Sequence, residues 1–122
     1  MVTEKPLALK LVSKKEAEAL QAFIQRLLAE LEGRVFQIIL FGSKARGDSA
    51  ENSDIDVLIL AGEENWQLQK NINKIASRID LDYDVLLNPF LIAEERWRQM
   101  SKERFSICRN VERDGITLFS RS

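Results

Sequence analysis

The segment LFGSKARGDSAENSDIDVLIL, at positions 40–60, joins two apolar runs through a polar stretch rich in Gly, Asp, Ser and Asn. Asp54 and Asp56 open the second run, and side chains two residues apart in a β-strand project from the same face. Neighbouring carboxylates repel each other, and burying even one of them unpaired is costly. A hard divalent cation such as Mg²⁺ relieves this repulsion and takes further oxygen ligands from substrate phosphates. The pair therefore indicates a metal site at the start of a buried strand.

The first apolar run, at residues 38–41, stops at Gly42-Ser43, and ten residues separate Ser43 from Asp54. A glycine at a turn after a strand lets backbone N–H groups approach an anion, and a serine there adds a hydroxyl donor. A phosphate-binding turn beside metal-binding carboxylates predicts a nucleoside triphosphate site. The alternative is a polar loop in which the aspartates only cap turns or hydrate the end of a strand.

The pattern G-S-x10-D-x-D, with K-A-R-G-D inside it, resembles the signature of the DNA polymerase beta-type nucleotidyltransferase superfamily. The short chain is similar to the minimal nucleotidyltransferase (MNT) group, in particular to the MntA antitoxins encoded beside HEPN-domain toxins. The resemblance extends over roughly residues 36–119, including the closing stretch FSICRNVERDGITLF, although its specificity comes mainly from positions 42–56. It implies an α+β, polymerase-beta-like nucleotidyltransferase fold, in which a small mixed sheet has flanking helices.

Length and composition favour a single domain over residues 1–122, because a chain of this length can form one core. No apolar run approaches the ~20 residues of a membrane span, and the N-terminus lacks the features of a signal peptide. One cysteine, Cys108, permits no internal disulfide, so we expect a cytoplasmic protein without membrane association. The net charge of −1 and the pI near 5.6 argue against direct nucleic-acid binding.

The chain contains no histidine. This excludes Ser-His triads, histidine-ligated zinc and any histidine general base. It also excludes the histidine-bearing RNase motif associated with HEPN toxins, so the resemblance implies that this chain is the partner of the toxin.

Hydrophobic periodicity and turn residues predict the remaining elements. Ser13 and Glu16 have the form of a capping box that starts a helix, and Gly33 is placed to end it. Asn88-Pro89 is typical of a helix start. The expected order is helix 13–33, strand 34–41, strand 54–60, helix 66–79, strand 80–87, a helix from 88, a helix through 105–114 and an edge strand 116–119. We expect the helices to pack largely on one face of the sheet.

The sequence DLDYDVLL at residues 80–87 alternates acidic and apolar residues, which predicts a strand with its acids on one face. Members of the superfamily use three carboxylates to hold two metal ions about 3.5–4 Å apart, two from D-x-D and one from a later strand. By this resemblance, Asp54 and Asp56 are catalytic metal ligands, and Asp84 is the third because it precedes an apolar run. Asp82, on the same face, is the alternative third ligand.

The resemblance also assigns the phosphate-binding residues. Gly42 and Ser43 are expected to hold the β- and γ-phosphates of ATP through backbone amides and the serine hydroxyl. Arg46 is either a clamp on the triphosphate, because a guanidinium binds phosphate oxygens in a bidentate way, or an exposed residue of the turn. Lys44 stands where arginine is frequent in the family. The stretch 96–113, with six basic and two acidic residues, is either a partner or triphosphate surface or a solvated helix face.

The resemblance implies a Mg²⁺-dependent nucleotidyltransferase, with two ions expected, that moves AMP from ATP onto a tyrosine hydroxyl of a cognate HEPN RNase toxin. The chain would then act as the antitoxin and form a hetero-oligomer with that toxin. One alternative is a non-catalytic antitoxin that neutralises its toxin by binding. Another is nucleotidyl transfer to a small molecule, although relatives of that type usually add a substrate-binding domain. The base specificity and the number of AMP units transferred stay open.

Overall fold

The computed structural model describes residues 12–31, 33–47 and 53–121 of the chain. These described residues form five helices and four strands. In chain order the elements are α1 (Lys14–Glu30), β1 (Val35–Phe41), α2 (Ser43–Arg46), β2 (Ile55–Ala61), α3 (Trp66–Tyr83), β3 (Leu87–Ala93), α4 (Glu94–Lys102), α5 (Ser106–Asp114) and β4 (Ile116–Ser120). The part of the motif at residues 48–52 lies outside the described residues.

The four strands form one mixed sheet in the order β3-β2-β1-β4. β1 pairs antiparallel with β2 and with β4, whereas β2 and β3 are parallel and are joined through α3. β1 and β2 therefore lie in the centre, as their nearly continuous apolar sequences predict. The register places Phe41 opposite Asp56, and Asp56 opposite Asn88. These positions bring the motif turn and the starts of β2 and β3 to one end of the sheet.

Alternate residues of β1 belong to separate hydrophobic clusters on the two faces of the sheet. Ile38 and Leu40 pack in the larger cluster with the buried stripes of α1 and α3, whereas Ile39 and Phe41 pack in the smaller one with α4 and α5. The expectation that helices pack largely on one face is therefore wrong, and helices flank both faces. The reason is that a central strand with apolar residues at successive positions must bury both of its sides.

Helix α1 starts with the predicted capping box. The Glu16 backbone N–H donates to Ser13 Oγ at 3.2 Å, and the Ser13 N–H donates to Glu16 Oε1 at 2.9 Å. Leu20, Phe23, Ile24 and Leu27 of this helix are buried in the larger cluster, and Phe23 and Leu27 are fully enclosed there. Gly33 follows the helix with a φ of +78°, a conformation that a residue with a side chain rarely adopts.

The strand predicted at residues 80–87 is wrong, because α3 continues to Tyr83 and Asp84 caps it with φ 55° and ψ 55°. Helical spacing explains this, since Ile79 and Tyr83 continue the i, i+4 stripe of α3 that packs on the core. Leu81, which a strand would turn toward the core, is 82% exposed on the helix. The acidic and apolar residues that alternate in this stretch therefore do not lie on opposite faces of a strand.

The strand begins instead at Leu87, so the predicted helix start at Asn88-Pro89 is also wrong. β3 is an edge strand, where proline is tolerated because one side of the strand forms no ladder hydrogen bonds. Asp80 helps to set the strand start, because its Oδ1 accepts a hydrogen bond from the Leu87 N–H at 2.9 Å. The helix predicted from residue 88 begins at Glu94.

The last part of the chain follows the prediction more closely. α5 and the edge strand β4 occupy the predicted positions. Met100 of α4 and Cys108 and Val111 of α5 are buried in the smaller hydrophobic cluster. Among the described residues, no helix is long and apolar enough to cross a membrane.

Candidate active site

The turn after β1 has a backbone conformation that requires glycine. Gly42 has φ 76° and ψ −158°, a region that residues with a side chain essentially never occupy. A Cβ atom there would also collide with Oδ2 of Asp56 and lie 3.2 Å from its Cγ. The Gly42 carbonyl accepts hydrogen bonds from the N–H groups of Ala45 and Arg46, both at 3.1 Å, which closes α2 into a single turn. Gly42 and Ser43 thus form the tight strand-to-helix turn that the sequence predicts.

Asp56 lies against this turn, and Asp54 lies just before the start of β2. Asp56 is opposite Phe41, the last residue of β1, and is half-buried, whereas Asp54 is exposed. Ile55, between the two acids, is fully buried in the larger cluster, so the Asp56 side chain lies on the other face of the sheet. The structure therefore brings one carboxylate of the D-x-D motif into contact with the Gly42 turn.

Burial raises the pKa of Asp56 above its ordinary value of 3.8, and the negative charge of Asp54 raises it further. Two contacts oppose this, because the Asn88 amide donates to the carboxylate and the charge of Arg46 favours its ionised form. The net rise in pKa means that these two contacts do not fully offset the burial of Asp56 and the nearby charge of Asp54. Asp54 and Asp56 therefore fit one hard divalent cation that takes its other ligands from phosphates. The part of the chain that the structure describes contains no cluster of three acidic, His or Cys side chains placed to hold a metal.

Asn88, which the sequence pattern assigns to a helix start, lies next to Asp56. Parallel pairing of β2 and β3 puts the two residues opposite each other, and Nδ2 of Asn88 donates to Oδ1 of Asp56 at 3.0 Å. Asp56 is thus held between the Gly42 backbone and the Asn88 amide. A sequence signal for this placement exists in the apolar run at residues 90–92, which is compatible with an edge strand that begins before the proline.

Asp84 does not lie beside the D-x-D pair on a strand. Its side chain is 98% exposed at the end of α3 and forms an ion pair with Lys15 at 3.3 Å. The alternative, Asp82, is also on the exposed end of α3, where it pairs with Arg78 at 3.4 Å. The strand geometry on which both were predicted as third ligands is therefore wrong.

The pKa of Asp80 responds to the charge of Asp54, one acid of the D-x-D pair. Burial raises its pKa above 3.8, the hydrogen bond from the Leu87 N–H lowers it, and the charge of Asp54 raises it. The Asp80 carboxylate therefore lies within electrostatic range of Asp54. Its Oδ1 accepts a hydrogen bond from the first residue of β3, so this contact stabilises the junction between α3 and β3.

The two basic residues of α2 have different surroundings. Lys44 is buried, and its Nζ forms a 2.6 Å ion pair with Oε2 of Glu16, so it anchors α2 to α1. Arg46 is partly exposed and lies 4.0 Å from Asp114. Its positive charge also lowers the pKa of Asp56. Arg46 is therefore within electrostatic range of the carboxylate site, whereas Lys44 has a structural partner.

The basic stretch at residues 96–113 is partly neutralised within the chain. Three of its arginines form ion pairs: Arg96 with Glu64 at 2.6 Å, Arg98 with Glu94 at 2.7 Å and Arg113 with Asp114 at 2.9 Å. Surface pairs of this kind are typical of a solvated helix face. The three ion pairs therefore favour a solvated helix face over a triphosphate-binding surface as the interpretation of residues 96–113.

The sequence of this chain is similar to those of known proteins. Residues 20–116 match a family described as the nucleotidyltransferase domain. A Methanocaldococcus jannaschii protein, provisionally named a protein adenylyltransferase, is 36% identical over 104 residues, which cover 85% of this chain and 98% of that protein. A second protein of the same organism, with the same provisional name, is 44% identical over 75 residues, which cover 61% of this chain and 76% of that protein.

Solved structures have a similar fold. A chain from the crystal structure of a toxin–antitoxin with AMP-PNP has a TM-score of 0.57 and 25% identity, over 82% of this chain and 73% of that chain. A chain from tri-AMPylated Shewanella oneidensis HEPN toxin in complex with MNT antitoxin has a TM-score of 0.52 and 18% identity, over 88% of this chain and 73% of that chain. The second similarity concerns the fold alone. The fold and the motif thus define a nucleotidyltransferase, and this chain belongs to the nucleotidyltransferase domain family.

Proposed function

We propose that this chain is a Mg²⁺-dependent nucleotidyltransferase that moves AMP from ATP onto a tyrosine hydroxyl of a cognate HEPN RNase toxin and thereby acts as its antitoxin. The observation that carries the proposal is the contact of Asp56 with the Gly42 turn, beside Asp54. A turn suited to phosphate and a pair of carboxylates suited to a divalent cation meet at one end of the sheet. Metal-assisted transfer of a nucleotide needs both.

The family resemblance suggests a role for each site residue, and we propose these roles here. Gly42 and Ser43 bind the β- and γ-phosphates through backbone N–H groups and the serine hydroxyl. Arg46, whose charge reaches Asp56, clamps a phosphate oxygen from the end of α2. Asp54 and Asp56 hold Mg²⁺, which supplies stabilisation of the charge that develops on the triphosphate.

The transfer is an in-line displacement at the α-phosphorus. The phenolic oxygen of the acceptor forms a bond to that phosphorus, the bond from the phosphorus to the oxygen of the β-phosphate breaks, and pyrophosphate leaves. The phenolic proton passes to solvent. The residues of this chain act by holding the triphosphate in line with the acceptor, and orientation of this kind can lower a barrier by about 7–11 kcal/mol.

The names of the two Methanocaldococcus jannaschii relatives support a protein acceptor. The structural neighbour at 25% identity, a chain of a toxin–antitoxin with AMP-PNP, supports a toxin as that acceptor. Tyrosine suits the half-buried Asp56, because its long phenol reaches a recessed site that a serine hydroxyl would not reach. An anionic AMP beside the RNA-binding groove of an RNase would repel the RNA backbone by charge and by volume.

The test is intact-mass spectrometry of the cognate HEPN protein after incubation with this chain, Mg²⁺ and ATP. Each transferred AMP adds about 329 Da as the metal-assisted transfer proceeds, and fragmentation locates the modified tyrosine. The RNase activity of the toxin should fall in step with the modification. Asp54→Asn is the matched control, because it keeps the size of the side chain and removes one charge.

The outcomes separate the proposal from its alternatives. A toxin that stays unmodified but is fully inhibited would favour a non-catalytic antitoxin that acts by binding. Transfer of AMP to a small molecule, with no transfer to the toxin, would favour the small-molecule alternative. Transfer by Asp54→Asn at the wild-type rate would contradict the metal site.

A further inference from the structure

We infer, on the basis of the proposed transferase function, that Asn88 takes the place of the third acidic ligand and limits the site to one firmly held divalent cation. The parallel register of β2 and β3 puts Asn88 opposite Asp56. Its Nδ2 donates to Asp56 Oδ1 at 3.0 Å, so the two side chains lie together at the same end of the sheet. The superfamily pattern expects a carboxylate on a later strand, and β3 is the later strand that runs beside β2.

An amide in this position acts differently from a carboxylate. It carries no charge, and one of its N–H bonds is already directed at Asp56. A hydrogen bond of this kind fixes the orientation of a metal-binding carboxylate, and groups just outside the ligands of a metal commonly have this role. Asn88 is therefore a positioning residue for Asp56.

The number of carboxylates limits how many dications the site can hold. Asp54 and Asp56 together carry two negative charges, which are enough to neutralise one Mg²⁺. A second ion would depend on phosphates and water for its ligands. The positive charge of Arg46, which reaches Asp56, further disfavours a second cation.

Among the described residues, the acids at the end of α3 have other partners. Asp84 is exposed and paired with Lys15, and Oδ1 of Asp80 accepts the Leu87 N–H. Across residues 12–31, 33–47 and 53–121, no three acidic, His or Cys side chains are grouped to hold a metal. An aspartate at position 88 would add a third acid to the D-x-D pair.

The test compares the wild type with Asn88→Asp, Asn88→Ala and Asn73→Asp. Asn73, exposed on α3 and bonded to Gln69, is the control because its substitution adds the same charge elsewhere. Electron paramagnetic resonance of free Mn²⁺ measures the number and affinity of bound ions, with and without α,β-methylene-ATP. Circular dichroism melting curves show whether each variant is folded.

We expect one firmly bound Mn²⁺ per wild-type chain in the presence of the nucleotide analogue. Asn88→Asp should bind two, the first about tenfold more tightly than the wild type binds its single ion. Asn88→Ala should keep one ion at about tenfold lower affinity, because Asp56 loses its donor. Asn73→Asp should match the wild type. The inference would be overturned if the wild type bound two Mn²⁺ ions firmly, or if Asn88→Ala bound Mn²⁺ as tightly as the wild type does. If Asn88→Asp does not fold, the Mn²⁺ affinity of Asn88→Ala decides.

AMP transfer to the toxin, measured in parallel, distinguishes this inference from the proposed function. Wild-type transfer together with unchanged Mn²⁺ binding in both Asn88 variants would overturn the role of Asn88 and leave the transferase intact. The opposite result is also informative. If the wild type binds one Mn²⁺ and Asn88→Asp binds two, but no AMP is found on the toxin, the single-ion site is supported and the proposed function is contradicted.

Discussion

Nζ of Lys44 lies 2.6 Å from Oε2 of Glu16, and the two side chains are almost completely buried, with 4% and 8% of their surfaces exposed. The other oxygen of Glu16 accepts the backbone N–H of Ser13, so one carboxylate both caps α1 and holds α2. Burial opposes ionisation of Glu16, but its contacts with Lys44 and Ser13 outweigh this effect and lower its pKa below the ordinary value of 4.5. The pair therefore joins the start of α1 to the candidate phosphate-binding turn.

Lys44→Met should lower the free energy of unfolding by about 3–5 kcal/mol, because it leaves the buried Glu16 charge without its partner. The double variant Glu16→Gln, Lys44→Met should be more stable than the single variant, since neither side chain of the pair then carries a buried charge. Urea unfolding at pH 7 measures both. The stabilisation by Glu16 is present above pH 4.5 and is lost as the pH falls through the lowered pKa. A loss below about 1 kcal/mol in the single variant would indicate a solvent-exposed pair.

Asp56→Asn should stabilise the chain at neutral pH in the absence of Mg²⁺ and nucleotide. Burial and the charge of Asp54 raise the folded-state pKa of Asp56 above 3.8, so its ionised form costs stability at pH 7. The stability that Asp56 contributes is fully present below pH 3.8 and is lost as the pH rises through the raised pKa. The advantage of the variant is therefore largest at pH 7 and shrinks toward pH 3.8. Urea unfolding at several pH values measures it, and a constant difference would contradict the raised pKa.

The elements that the sequence predicts correctly have strong local signals. The capping box at Ser13 and the apolar run of β1 each favour one interpretation, and alternation defines the start of β2. The local sequence also predicts that the Gly42 turn lies beside the D-x-D pair. Gly42 and Asp56 are close in sequence and meet through a single antiparallel pairing, so the motif alone brings them together.

The placement of Asn88 beside Asp56 is harder to predict from the sequence, because it depends on the boundary between a helix and a strand. The stretch DLDYD fits a strand by alternation and a helix by the spacing of Ile79 and Tyr83, and packing on the core selects the helix. The later start of β3 then places Asn88, in place of Asp84, beside Asp56. Long-range contacts fix the register of a parallel pair, so the local sequence does not specify it.

Asp84→Asn should leave AMP transfer within about twofold of the wild type, because its exposed carboxylate makes a weak surface pair with Lys15. Asp54→Asn should lower transfer at least about a hundredfold, because it removes a charge from the metal site. The two substitutions are matched in size and chemistry. Incorporation of AMP from labelled ATP into the toxin measures both rates. If both variants lost AMP transfer equally, Asp84 would be a metal ligand, which this prediction excludes.

Gly42→Ala and Gly33→Ala form a matched pair, because both glycines have a positive φ, of 76° and 78°. A Cβ at Gly33 meets no atom of the described residues within 4 Å, so that variant should lose only about 1–2 kcal/mol of stability to left-handed strain and keep wild-type transfer. A Cβ at Gly42 collides with Asp56 and must push its carboxylate away from the turn, so Gly42→Ala should lose more stability. It should also lose about a hundredfold in transfer rate, since a displacement of about 1 Å in a positioning group can have that effect. Urea unfolding and the AMP incorporation assay measure the two variants side by side. Equal transfer by both would show that the contact between Gly42 and Asp56 is not part of the active site.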